Sequence, residues 1–369
     1  MISGKLRRFL SPVLFPVSLV YRCITSVRNK CYDLNILKST EFELPVISVG
    51  NITAGGTGKT PHVEYLLHLL TPKFQVAFLS RGYRRKTKGF VLAGREANPG
   101  NIGDEPYQIY KKFSNVRVAV DEDRIHGINR LLEKDPNLSC VVLDDAFQHR
   151  RLRAGVSIVL IDYYRPLHKD YILPMGDLRE SRFGIHRANI VIVTKVPHKI
   201  KPIEKRLWIK ELNLFPYQFL YFTSIEYGKL IPVFNSKQKS LKPEELDKKK
   251  TKILLVTGIA NAKPLAEKLA ACCKSFEHIS YPDHHEYRLS DIKNLMARYH
   301  SIQADEKIII TTEKDAGKLE AMGELVSDLR EKMYYLPLKI VFLDQKGKEF
   351  DANIHDFVAK NKRISRLHS

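Results

Sequence analysis

The chain is poor in cysteine, almost free of acid at its start, and short of any apolar run at its N-terminus that could cross a bilayer. Its five cysteines, Cys23, Cys31, Cys140, Cys272 and Cys273, form no CxxC pair and show no metal-ligand spacing. A disulfide framework and a cysteine-held zinc are therefore excluded, and a reducing compartment is expected. The apolar stretch from Phe9 to Tyr21 contains Pro12 and Pro16 and falls below the ~20 residues that a spanning helix needs. No small-residue cleavage site follows it, so a signal peptide is not expected either. Internal repeats and low-complexity tracts are also missing, which excludes a solenoid.

What is present is positive charge. Lysine and arginine number 61 against 41 acidic residues, a formal net charge of +20. That excess favours anionic partners: nucleic acid, an acidic lipid surface or a phosphorylated substrate. No base-stacking aromatic motif supports nucleic acid. Lys5, Arg7 and Arg8 precede the apolar stretch, Arg22, Arg28 and Lys30 follow it, and Asp33 is the single acidic residue among the first forty. Such a segment suits the surface of an anionic leaflet, where each nearby cation contributes ~1 kcal/mol. The competing reading is a helix docked on the protein's own core. At the other end, Lys360, Lys362, Arg363 and Arg366 read as a solvated basic tail.

With 369 residues the chain exceeds the usual size of one domain. Short apolar runs alternate with helical patterns through its first half: Val46 to Val49, Val76 to Leu79, Val116 to Val120, Cys140 to Leu143, Ile158 to Ile161 and Ile190 to Val193. This predicts an α/β fold with a parallel sheet, whose ligands bind beyond the carboxyl ends of the strands. The residues just after those runs are polar: Gly50 to Thr60, Ser80-Arg81-Gly82-Tyr83, Asp144-Asp145, Asp162 and Thr194-Lys195. Around Pro197 to Lys250 the pattern loosens, and Tyr217 to Val233 reads as two short strands around Gly228. A second α/β pattern follows, with Ile253 to Val256, a helix near Ala262 to Ala271, and Ile308 to Ile310.

The strongest motif is Thr53-Ala54-Gly55-Gly56-Thr57-Gly58-Lys59-Thr60, placed between a strand pattern and Val63, Leu66, Leu67 and Leu70 at helical spacing. Its glycines let successive backbone N–H groups converge on a polyphosphate, Lys59 reaches the β/γ-phosphates, and Thr60 supplies a hydroxyl to magnesium. Thr53 stands where the usual pattern has glycine. A glycine-rich turn that binds nothing is the alternative. Asp144-Asp145 ends a strand, where a carboxylate can reach the magnesium held by Thr60, although an aspartate there also serves as a helix cap. Gly103-Asp104-Glu105-Pro106 opens a helical pattern and reads either as an N-cap or as a general base for an attacking hydroxyl. Asp283-His284-His285 has no metal-ligand partner elsewhere in the chain. A GTPase is disfavoured, because neither Thr194-Lys195-Val196-Pro197 nor Thr312-Glu313-Lys314-Asp315 fits a guanine-recognition motif.

The loop, Ser80-Arg81-Gly82-Tyr83, Gly103-Asp104-Glu105-Pro106, Asp144-Asp145-Ala146-Phe147-Gln148-His149, Leu173-Pro174-Met175-Gly176, Leu178-Arg179-Glu180, Asp283-His284 and Thr312-Glu313-Lys314-Asp315 occur in one order. Together they resemble the tetraacyldisaccharide 4′-kinases, the lipid A 4′-kinases of Gram-negative bacteria. Thr53 at the displaced position is itself family-like. The resemblance implies transfer of the ATP γ-phosphate to the 4′-hydroxyl of a tetraacyldisaccharide 1-phosphate, giving lipid IVA. It implies a monomer at the cytoplasmic face of the inner membrane, peripheral or monotopic, with ATP and Mg2+ as cofactors and no nucleic-acid partner. It carries over residue by residue: residues 53–60 bind nucleotide, with Lys59 also catalytic. Thr60, Asp144, Asp145 and Glu180 serve the metal, Asp104 is the base, and His284 tunes it. Glu105 and Arg124 are weaker candidates for a substrate-phosphate or supporting role, and His285 is less secure than His284. The implied architecture is two α/β/α lobes joined by a short β linker, the first lobe of phosphate-loop type. The expected division is 1–36 as a membrane-associating helix, 37–215 as the kinase domain, 216–235 as the linker and 236–369 as a C-terminal α/β domain. A soluble phosphate-loop kinase for another small-molecule hydroxyl is the alternative.

Overall fold

The computed structural model describes residues 10–234, 238–273, 275–304 and 306–367. Lys5, Arg7, Arg8 and Phe9 lie outside the described residues, as do the side chains of Lys362, Arg363 and Arg366. The chain divides into two compact units, residues 1–225 with 340–369, and residues 226–339.

The first unit begins with helix α1 (Ser11–Asp33) and then builds a sheet from the apolar runs. These are β1 (Val46–Asn51), β2 (Val76–Ser80), β3 (Val91–Leu92), β4 (Arg117–Val120), β5 (Cys140–Asp144), β6 (Val156–Asp162), β7 (Ile190–Thr194) and β8 (Phe219–Tyr227). Every residue of β1, β2, β5 and β7 is buried. This is why they read as continuous apolar runs and do not alternate: in a parallel sheet both faces are covered. Helices α2 (Lys59–Leu70), α3 (Asp104–Lys112), α4 (Arg124–Lys134) and α5 (Pro202–Leu212) connect the strands. On α2, Val63, Leu66, Leu67 and Leu70 are all buried and pack with Ile47, Val49, Phe78, Val142 and Ile158. β1 lies centrally, parallel to β5 on one side and β6 on the other, with Val49 level with both Asp144 and Ile158. That register brings the loop after β1, the aspartates after β5 and Asp162 to one edge of the sheet.

The second unit is built around β10 (Thr251–Thr257), which follows the short β9 (Ile231–Pro232) and runs parallel to both β11 (Ser275–Ser280) and β12 (Glu306–Thr312). Helices α6 (Lys263–Ala270), α7 (Leu289–Ser301) and α8 (Glu313–Glu320) accompany these strands, and β13 (Met333–Leu336) completes the sheet in the order β11-β10-β12-β13-β9. Leu254, Val256, Ile309 and Met333 share one of its cores. The two strands expected around Gly228 are β8 and β9, and they belong to different sheets.

The chain then returns through β14 (Leu338–Phe342), which neighbours β8 at the end of the first sheet, and α9 (Gly347–Leu367). Phe350, Ile354 and Val358, at helical spacing on α9, are fully buried in the same core as Ile47 and Leu67. The structure thus differs from a division that gives 236–369 to one C-terminal domain: the last thirty residues belong to the first unit. The physical reason is the apolar stripe of α9, which covers a face of the first sheet that α2 does not cover alone. Phe350→Ala is expected to lower the stability of the first unit by about 3–5 kcal/mol, the cost of an aromatic-sized cavity in a core. Chemical denaturation followed by tryptophan fluorescence checks this, since Trp208 lies in the first unit.

Candidate active site

The loop after β1 is held from behind along its length. Ala54 carbonyl accepts from both Arg165 guanidinium nitrogens, at 3.1 and 3.2 Å, and Gly55 carbonyl accepts from Asn51 Nδ2 at 3.3 Å. Gly56 carbonyl accepts from Lys195 Nζ at 2.5 Å, Thr57 carbonyl from Thr194 Oγ1 at 2.9 Å, and Gly58 carbonyl from His62 Nδ1 at 2.7 Å. In a trans peptide the carbonyl and the following N–H point in opposite directions. Each captured carbonyl therefore turns the next amide the other way. The amides of Gly55, Gly56, Gly58, Lys59 and Thr60 have no acceptor among the described residues. The loop reaches this shape through left-handed glycines, Gly55 at φ 101° and Gly58 at φ 89°. Gly58 is also the N-cap of α2. A convergent set of amides at a helix N-terminus is an anion site, and its size and its lysine suit a polyphosphate. Thr53, where a glycine is usual, is buried and bridges to Leu178. That bridge is made by its main chain, and its buried Oγ1 has no hydrogen-bond partner.

Two carboxylates face this loop. Asp145 Oδ1 lies 3.7 Å from Lys59 Nζ and 2.7 Å from Arg179 NH1. Burial pushes its carboxyl up, but the Lys59 and Arg179 cations outweigh that and hold it below the usual range. Asp144 is pushed up to about 7, chiefly by burial, with Lys59 countering and Asp145 and Glu105 adding to the rise. Its Oδ1 is buried with no hydrogen-bond partner. An orphaned carboxylate oxygen beside a phosphate loop fits a cation better than it fits a helix cap. No group of three or more His, Cys, Asp and Glu side chains able to hold a metal occurs among the described residues. Magnesium does not require one, because it takes one or two carboxylates together with phosphate oxygens and water. Asp145 adopts φ 48°, an uncommon conformation for a residue with a side chain, and Gly50 lets β1 pass close to Phe147. A Cβ on Gly50 would lie 2.6 Å from Phe147 Cβ.

Glu180 is in a different situation. Its oxygens already accept from Gln148 Nε2 at 3.0 Å, Asn29 Nδ2 at 3.1 Å and Arg187 NH2 at 2.7 Å. It reaches the aspartates only through intermediaries: Gln148 and Asp145 both accept from Arg179. Asp104 and Glu105 form the first turn of α3, whose N-cap is Gly103 at φ 92° with no side-chain cap. Asp104 is therefore not the capping residue. A Cβ on Gly103 would lie 3.1 Å from the Tyr83 carbonyl, so the Ser80-Arg81-Gly82-Tyr83 turn backs this helix start. Arg124 is buried, its guanidinium donating to the Asp121 and Asp144 carbonyls, and burial pulls it below its ordinary value while Asp144 and Asp145 counter.

His284 belongs to the second unit and is described there. It sits at φ 60°, and its Nε2 lies 3.1 Å from Lys314 Nζ. An ammonium only donates, so Nε2 accepts and the other ring nitrogen carries the proton. Asp315 fastens the loop beneath, accepting from Gly258 N at 2.8 Å and from Thr312 Oγ1 at 2.6 Å. His285 is committed elsewhere: it bonds Asp291 at 2.9 Å and stacks on Tyr281. Sequence reasoning did not single out His62, Arg165 or Asn51 as loop supports. Thr194 and Lys195 at a strand end were the one legible sign.

The family model described as tetraacyldisaccharide-1-P 4′-kinase matches residues 10–358. A tetraacyldisaccharide 4′-kinase of Bacteroides thetaiotaomicron is 46% identical over 95% of this chain and 94% of its own length. Another from Flavobacterium johnsoniae is 43% identical over 95% and 98%. Among solved structures, LpxK of Aquifex aeolicus, crystallised with ATP, superposes with a TM-score of 0.71 at 28% identity, covering 96% of this chain and 99% of that one. Matched almost end to end by relatives of one activity, the chain belongs to the tetraacyldisaccharide 4′-kinase family.

Proposed function

We propose that this ATP-dependent kinase transfers the γ-phosphate at the loop of residues 53–60, with Asp104 activating the 4′-hydroxyl of the lipid disaccharide. The observation that carries the site is the row of unpaired amides opposite Asp145 and the orphaned Asp144 oxygen. Lys59 would contact the β/γ-phosphates, and the amides would hold the oxygens in line for attack. Magnesium bound by Thr60, Asp144 and Asp145 would neutralise charge on the β- and γ-phosphate oxygens. Glu180 would support that set indirectly, by holding Gln148 and Arg187. Asp104 suits the base because it stands in the first turn of α3 and does not cap it. His284 would tune that base, with the ring tautomer set by Lys314.

The surface of α1 supports an acceptor taken from a membrane. Val13, Val17, Val20, Ile24 and Val27 form one stripe and are between 51% and 68% exposed. The polar side faces inward: Ser18 Oγ accepts from Met175 N, Tyr21 donates to the Arg179 carbonyl, and Asn29 donates to Glu180. A helix that turns its polar face to the protein and its apolar face outward, with Arg22 and Lys30 exposed, suits the interface of an anionic bilayer. No helix among the described residues is long and apolar enough to cross one. We place the protein at the cytoplasmic face of the inner membrane, where ATP is available.

With radiolabelled ATP and tetraacyldisaccharide 1-phosphate in detergent, Asp104→Ala is expected to lower kcat at least ~100-fold while ATP binding is retained. Normal turnover would remove Asp104 from the mechanism. Lys59→Ala should damage both nucleotide binding and turnover, and the double variant Asp104→Ala/His284→Ala should lose less than the product of the single losses if the two act as a unit. Val20→Glu with Ile24→Glu should weaken sedimentation with anionic vesicles at least ~10-fold, the effect of removing two apolar side chains from a lipid interface. Unchanged partition would count against α1 as the contact.

A further inference from the structure

His62 lies in the first turn of α2, fully buried beneath the phosphate loop, and sequence reasoning gave it no role. The ring is buried, and its two partners are a main-chain carbonyl and a hydroxyl, with no carboxylate to balance a charge, so the neutral form is the one that fits. A neutral imidazole has one N–H and one acceptor nitrogen. Nδ1 stands 2.7 Å from the Gly58 carbonyl, which can only accept, so the proton is on Nδ1. Nε2 must then accept, and Thr223 Oγ1 at 3.0 Å is its donor. The main-chain N–H of His62 reaches the same Gly58 carbonyl at 3.3 Å. One residue thus holds this carbonyl twice.

That carbonyl shares its peptide plane with the amide of Lys59. Holding it down fixes where the Lys59 N–H points and sets the first helical residue of α2, from which the lysine side chain springs. Gly58 at φ 89° has no side chain to restrain it, and α2 has no side-chain cap. Thr223 lies on β8, whose own main chain is tied to Val196 by a 2.9 Å bond. The chain Thr223 hydroxyl, His62 ring and Gly58 carbonyl therefore anchors the most mobile residue type in the loop to the sheet.

We propose that His62 is a positioning residue for phosphoryl transfer, which as the Nδ1–H tautomer locks the Gly58–Lys59 peptide against β8 through Thr223. The proposal rests on residues 53–60 being the nucleotide site, and Lys59→Ala tests that reading separately. Asparagine places an amide N–H near the position of Nδ1, whereas glutamine places one near Nε2. His62→Gln should raise the ATP KM about tenfold or more, the effect of losing one buried hydrogen bond, and lower kcat as well. His62→Asn should recover most of that loss, and Thr223→Val should weaken ATP binding in the same direction as His62→Gln, with folding of each variant checked by thermal melting. A folded His62→Gln with unchanged ATP KM and kcat overturns the proposal, and so does a His62→Asn as impaired as His62→Gln. Should a variant not fold, 15N NMR of the intact chain decides: an Nδ1–H tautomer for His62 near pH 7 sustains the proposal, and an Nε2–H tautomer overturns it.

Discussion

A loop that offers its amides to an anion must dispose of its carbonyls, and much of the first unit is arranged around that requirement. Five successive carbonyls, from Ala54 to Gly58, are taken up by five different side chains drawn from β1, the loop after β6, the end of β7 and α2. Their donors are themselves braced. Lys195 also pairs with Asp162, and Arg165 with Asp177. Asn51 also reaches Thr57 Oγ1 at 2.8 Å. The parallel sheet gives these residues a common edge, because β1, β6 and β7 end side by side. A preformed site of this kind spends little ordering entropy when phosphate arrives.

Charge inside the site is divided unequally. The adjacent aspartates experience opposite environments: Asp145 lies against Lys59 and Arg179, whereas Asp144 is buried beside Glu105 with one oxygen unpaired. Two neighbouring carboxylates with different affinities for a proton are a common device for placing one as a permanent anion and leaving the other responsive to a cation. The left-handed backbone of Asp145 and the close passage of Gly50 beside Phe147 are what this crowding requires of the chain.

Much of this was legible in the sequence, and the remainder was not for identifiable reasons. The phosphate loop, the parallel strands and the polar strand ends follow from local pattern, since glycines, apolar runs and helical spacing act within a few residues. His62, Arg165 and Asn51 escaped because their partners are set by register and by connections between strands. The family resemblance implies a metal role for Glu180, yet its oxygens already accept from Gln148, Asn29 and Arg187, and Asn29 lies 151 residues from it in sequence. Composition identified α1 as apolar and basic, but only its contacts reveal which side faces out. At the C-terminus only the basic tail was read from the sequence and the stripe of Phe350, Ile354 and Val358 was missed, and such a stripe does not in any case specify the core it will join.

β8 and β14 are neighbours at the end of the first sheet, and the chain departs along one and comes back beside it. Residues 226–339 are thus a guest in a host that closes on either side of it. The host strands meet at a single edge, so a module spliced there leaves the order of the remaining strands untouched. Replacing 226–339 by a short turn asks no strand of the host to change its neighbour. An exchange at this one junction would leave the phosphate loop and the side chains that hold its carbonyls unaltered, because all of them belong to the host.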